Sequence, residues 1–231
     1  MLARGCGEIL LTIGVVLLLF AGYEVFGTGL INAHRQSELT AQLNSSWTSG
    51  EDPITQAPDI GEGIALIRIP KLGKDYVKVI VEGTSRAALA DGPGHYTASA
   101  LPGEVGNFAV AGHNGGNGSP FEGLHRLEAG DPIIIETRDT YFVYRVLGDP
   151  RAGGASTPDS EGLLGKQVVQ ASDVGVVLPV PNRPGESPHR RLLTLTTCKE
   201  SFFTVERLII HAELAGQPRP KSDGVPPEQM G

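Results

Sequence analysis

Arg191-Leu192-Leu193-Thr194-Leu195-Thr196-Thr197-Cys198 is rich in β-branched residues and alternates Leu with Thr, the period of two that marks a strand. Its last residue is a thiol. At a strand terminus a side chain can face a cleft while the ladder holds its backbone, so the segment reads as a scaffold that presents Cys198 to a substrate. Nine residues on, Arg207 opens a second β-branched run, Leu208-Ile209-Ile210-His211-Ala212. That spacing lets the chain turn and lay Arg207 beside Cys198 on a neighbouring strand, where a guanidinium favours a thiolate and stabilises an oxyanion.

Comparable runs occupy residues 64–69, 76–81, 107–113, 132–137, 141–147 and 166–170, which with 191–197 and 206–212 make eight. Gly, Pro and Asp separate most of them, as turns between strands require. The composition, 31 Gly and 17 Pro with one Trp, suits a turn-rich domain better than a helical bundle. The expected fold class is all-β: a closed eight-stranded β-barrel over residues 61–215, closure removing exposed sheet edges. Short helical turns are expected at Thr84–Leu89 and Phe121–Arg126.

The flanks read differently. Residues 9–23 carry no charge, and counted loosely from Leu2 to Phe26 the stretch reaches the ~20 residues of a spanning helix. Residues 1–31 are therefore expected to form a cytoplasmic amino terminus and one transmembrane helix, with Tyr23 and Phe26 at the outer interface. Arg4 precedes the apolar run, so the positive-inside rule sends the rest of the chain out of the cytoplasm. A cleaved signal peptide is the competing reading. Residues 32–60 are polar and punctuated by Pro53 and Pro58, which suggests an extracytoplasmic stalk. Residues 216–231 show no apolar periodicity and are expected to be a disordered tail.

A net charge of -7 supplies no basic footprint for nucleic acid. The two cysteines, Cys6 and Cys198, fall on opposite sides of the expected membrane and are each read as a free thiol. Acidic residues between 122 and 139 read as a solvated face, a Ca²⁺ site being the alternative; no metal ligand is assigned. His113 ends the run Phe108-Ala109-Val110-Ala111-Gly112-His113 and precedes a Gly-rich loop, where an imidazole is accessible for proton transfer. Taken singly, Cys198 could be packing, His113 structural and Arg207 a surface charge. Together they lie at ends of expected strands, where one barrel rim can gather them.

Thr194-Leu195-Thr196-Thr197-Cys198 has the Thr-Leu-X-Thr-Cys pattern of sortases, Arg207-Leu208-Ile209 resembles their arginine strand, and Ala111-Gly112-His113 resembles their histidine strand. The resemblance covers roughly residues 60–215 and is greatest to class E, the actinobacterial group. It implies that Cys198 is the nucleophile, His113 the general acid and base, and Arg207 the oxyanion and substrate stabiliser. Thr196 and Thr197 are implied at the substrate pocket. The implied partners are surface proteins with a C-terminal sorting signal, Leu-Ala-X-Thr-Gly or Leu-Pro-X-Thr-Gly, and a cell-wall precursor amine; no cofactor is implied. Two positions depart from the pattern: Asn114 stands where Arg commonly follows the His, and Lys199-Glu200 where His-Pro often follows the class E Cys. A pilus-polymerising sortase is a rival, since Asp52-Pro53 is similar to the start of that class's lid, although Ile54 is not aromatic. The other rival is a non-enzymatic membrane-anchored β-barrel that binds protein ligands.

Overall fold

The computed structural model of the chain describes residues 2–22, 28–115, 118–198 and 206–229, and Cys198 through its backbone. Tyr23, Phe26 and the pair Lys199-Glu200 lie outside the described residues. The eight expected strands all form: β1 (Gly63–Arg68), β2 (Val77–Glu82), β4 (Gly106–Gly112), β5 (Pro132–Glu136), β6 (Thr140–Val146), β7 (Lys166–Gln170), β8 (Arg191–Cys198) and β9 (Glu206–Leu214). Two further two-residue strands, β3 (Gly94–His95) and β10 (Arg219–Pro220), join them.

The ring runs β6-β5-β1-β2-β3-β4-β8-β9 and closes where β9 returns to β6. It is an eight-stranded barrel, but its membership differs from the sequence expectation. β7 pairs with the first half of β9 and β6 with the second half, so β7 prolongs the wall and β3 completes the ring. β3 is held by more than its few ladder bonds: buried His95 places Nδ1 2.8 Å from Glu82 Oε2 on β2, and its Nε2 lies 3.0 Å from Ser99 Oγ.

The inward-facing half of each strand fills the barrel. Leu193 and Leu195 of β8 meet Ile64, Ile67, Phe108, Tyr144 and Ile210 there, all essentially sealed from solvent. Each such side chain contributes about 1.5–3 kcal/mol of hydrophobic stabilisation. β8 is buried on its other face as well, where Thr194 and Thr196 lie. Buried hydroxyls need partners, and Thr194 has two: its Oγ1 donates to Asn107 Oδ1 of β4 at 2.7 Å and lies 2.8 Å from His211 Nδ1 of β9. Gln167 Nε2 of β7 reaches His211 Nε2 at 3.1 Å, so one hydrogen-bonded chain crosses four strands behind β8. Asn107 Nδ2 passes it on to Leu178 O at 3.0 Å, tying down the β7–β8 connection.

Three expectations about the flanks need correction. Residues 28–49, expected within an anchor and stalk, are helix α2 (Thr28–Ser49), which follows α1 (Leu2–Gly22) in the chain. α2 packs on β1 and β2. Its buried positions, Asn32, Gln36, Leu39 and Leu43, recur at helical spacing, and the two leucines join Leu66, Val79 and Val81 in a second core. The carboxy-terminal segment is not disordered across its described residues. β10 pairs with β6, Lys221 Nζ sits 2.7 Å from Glu136 Oε1 and 4.3 Å from the centre of the Trp47 ring, and Glu228 pairs with Arg145. Glu136, expected on a solvated face, is correspondingly buried between Arg68 and Lys221.

The spanning helix also finds no support: among the described residues no helix is long and apolar enough to cross a membrane. α1 carries an uncharged run from Ile9 to Gly22. Its large side chains from Ile9 to Phe20 are nonetheless exposed. The remaining helices are short: α3 (Arg86–Asp91), capped by Ser85 Oγ accepting from Ala88 N–H, and several 3-10 turns, one of them at Leu124–Arg126.

Candidate active site

Register assembles the site. β8 and β9 are antiparallel, and Cys198 stands directly opposite Arg207. β8 and β4 are parallel with Thr197 level with Gly112, so His113, the next residue of that chain, stands level with Cys198. At ~4.8 Å between strands, Cys198 has His113 on one flank and Arg207 on the other, and these two are ~10 Å apart. The order His113, Cys198, Arg207 across three adjacent strand ends is what a nucleophile between a proton carrier and a cation requires. Residues 199–205, between β8 and β9, and residues 116–117 after His113 lie outside the described residues.

His113 leaves β4 immediately after Gly112, on whose Cα the buried Phe121 ring is seated. A methyl group there would fall 2.4 Å from that ring. The connection that follows His113 is closed by Phe121 N–H donating to His113 O at 3.0 Å, while Tyr76 Oη is hydrogen-bonded to Pro120 O. The imidazole itself is half-buried, and its buried Nε2 has no hydrogen-bond partner among the described residues. Burial, and then the positive charge of Arg86 at the start of α3, hold its pKa below the usual 6.5. A neutral imidazole with an unclaimed ring nitrogen is available to accept a proton.

The two threonines before Cys198 differ. Thr196 is fully buried and its Oγ1 lies 3.0 Å from Tyr96 Oη, a hydroxyl contributed by the turn after β3. Thr197 Oγ1 is equally buried and has no partner among the described residues, leaving hydrogen-bonding capacity at the rim. Tyr96 and Arg86 were not legible as site residues: 100 positions separate Tyr96 from Thr196, and only the β3–β4–β8 order joins them. Two clefts among the described residues lie away from these side chains. One, lined by Leu163, Pro181, Arg183, His189 and Leu192, lies at the opposite end of β8, six residues or ~20 Å from Cys198. Among the described residues no group of three or more His, Cys, Asp or Glu could hold a metal ion.

The Sortase domain profile matches residues 67–215, nearly two thirds of the chain. The chain belongs to the sortase family. Sortase SrtE1 of Streptomyces coelicolor is 37% identical over 97% of this chain, which spans 60% of that protein's length. Among solved structures, Sortase E1 of Streptomyces coelicolor with a tripeptide in its active site superposes with a TM-score of 0.59, at 36% identity over 73% of this sortase and 96% of that chain. The SrtF sortase of Corynebacterium diphtheriae gives a TM-score of 0.68 at 33% identity, over 75% of this sortase and 95% of its own chain.

Proposed function

We propose that this sortase is a cysteine transpeptidase of the class E type, which cleaves a Leu-Ala-X-Thr-Gly or Leu-Pro-X-Thr-Gly sorting signal between Thr and Gly and joins the surface protein to a cell-wall amine. The carrying observation is the register that sets Cys198 between His113 and Arg207 at one rim of a sortase barrel. The Cys198 thiolate attacks the Thr carbonyl carbon, and the tetrahedral oxyanion is held by Arg207. As the C–N bond breaks, protonated His113 delivers its proton to the departing Gly amine, leaving a thioester. The acceptor amine attacks the thioester, neutral His113 takes its surplus proton, and the new amide releases the Cys198 thiolate. Thr197, with its unclaimed hydroxyl, and Thr196, through its contact with Tyr96, shape the pocket for the signal's Thr.

The substrates place the reaction outside the cytoplasm, on chains already exported. The exposed apolar side chains from Ile9 to Phe20 support attachment of the amino-terminal helix to a membrane surface. Incubating the full chain with paired Leu-Ala and Leu-Pro sorting peptides and an amine acceptor, read by mass spectrometry, tests the reading. A ligated Thr–amine product with loss of the Gly-bearing fragment is expected. Unchanged peptides in both reactions would favour the rival reading of a ligand-binding barrel.

A further inference from the structure

We propose that α2 is part of the catalytic machinery: Asn32 is a positioning residue that fixes the connection leaving His113 and, together with Gln36, holds α3 against the barrel on the same side. This rests on the transpeptidase reading of His113. Asn32 is 5% exposed and Gln36 7%, so two polar side chains one turn apart are buried on a helix face that leucines occupy further along. Buried amides require partners, and both have them outside α2. Asn32 Nδ2 donates to Ala90 O at 2.9 Å. Gln36 Nε2 donates to Asp91 O at 2.6 Å, while its Oε1 accepts Val79 N–H of β2 at 2.8 Å. The last carbonyls of a helix lack intrahelical donors, so α2 caps the carboxy terminus of α3 with two side-chain amides.

The other face of Asn32 meets the His113 connection. Gly118, at φ +69°, runs so close that a methyl group on it would fall 2.2 Å from Asn32 Oδ1 and 2.4 Å from its Cγ. Only a residue without a side chain fits both that left-handed backbone and that approach. One amide therefore touches two segments that bear on His113: the connection that begins at His113, and α3, whose first residue, Arg86, acts on the imidazole through its charge. No described hydrogen bond reaches His113 Nε2, so the ring's position depends on how firmly its backbone is held. Misplacement of a reacting group by ~1 Å can cost on the order of 10²-fold in rate.

The test is Asn32→Ala in the full chain. Turnover is expected to fall about tenfold with KM for the sorting peptide nearly unchanged, because ground-state binding is untouched while the proton carrier is displaced. The His113 titration, followed by NMR without any peptide, should move to higher pH as Arg86 is released. Gly118→Ala should damage the parent more than the Asn32→Ala background, since the clash is with the Asn32 side chain. A folded Asn32→Ala protein with parental turnover and an unmoved His113 titration would overturn the proposal. Should that variant fail to fold, native-state hydrogen exchange of the parent decides. The Phe121 amide, bonded to His113 O, should become exchangeable in the same opening as the α2 amides; protection of Phe121 that outlasts the opening of α2 would overturn it. The NMR and exchange readouts need no activity, so their failure is separate from failure of the transpeptidase reading.

Discussion

Replacing His211 with Asn and unfolding both proteins in urea, in detergent micelles at pH 7.5 and 4.5, measures what the polar chain behind β8 contributes. Burial drives the His211 pKa from 6.5 down to about 3, while Asp159 and Arg190 act on it with opposite signs. The folded value lies below the unfolded one, so the unfolded chain binds the proton more tightly. Stability from the neutral ring is whole above pH 6.5 and is lost progressively as the pH falls toward 3. With those two values, the loss between pH 7.5 and 4.5 is roughly 3 kcal/mol, about a hundredfold in the folding equilibrium. His211→Asn keeps a donor near Thr194 Oγ1 but gives up the Gln167 contact and some volume, which costs about 1–3 kcal/mol at pH 7.5. Its stability should therefore start lower and fall less, the two pH dependences differing by roughly 3 kcal/mol. Equal losses on acidification in both proteins would refute the claim that His211 is held neutral by burial.

Arg207→Lys should keep the positive charge opposite Cys198 and lose the planar fork of donors, reducing turnover on the order of 10²-fold while the pH profile stays bell-shaped; steady-state transfer rates across pH 5–10 check this. Arg86→Ala removes the cation that lowers the His113 pKa, so the acid limb of that profile should move to higher pH, and an unmoved limb would show that burial alone is responsible. Gly112→Ala drives a methyl group to 2.4 Å from the Phe121 ring and should destabilise the barrel by about 1–3 kcal/mol in urea titrations, with expression of folded protein falling accordingly.

The strands were legible because they are short apolar or β-branched runs bounded by turn residues: Ile64–Ile69 is buried along almost its whole length, and Leu193–Thr196 alternates Leu with Thr although both faces of that strand are covered. β3 was not, since Gly94 and His95 are too short for any period and are held by the Glu82 contact from β2. α2 was missed for a different reason. Its buried positions 32, 36, 39 and 43 do follow a helical period, but the first two are Asn and Gln, whose burial depends on partners 43 to 58 residues away. The carboxy-terminal segment was misread likewise, because Lys221 is ordered by Glu136 and Trp47 rather than by its neighbours. The expected spanning helix counted residues 2–26, a stretch that includes the charges of Arg4, Glu8 and Glu24, and no helix among the described residues is long and apolar enough to cross a membrane. In the candidate site, the motif order and strand ends pointed to one rim, and the register sets Cys198 opposite Arg207 and level with His113. Tyr96 and Arg86 reach that rim only through the fold.

The central claim is that Cys198 carries the acyl group. Intact-mass measurement of the full chain, quenched in acid after incubation with a sorting peptide and no amine, tests it directly. The expected result is a mass increase equal to the peptide's acyl portion through Thr less one hydrogen, mapped to Cys198, discharged by hydroxylamine and absent from Cys198→Ala. A protein that cleaves the peptide with no such adduct even at early times, or a folded Cys198→Ala protein that still transfers it, would contradict the account.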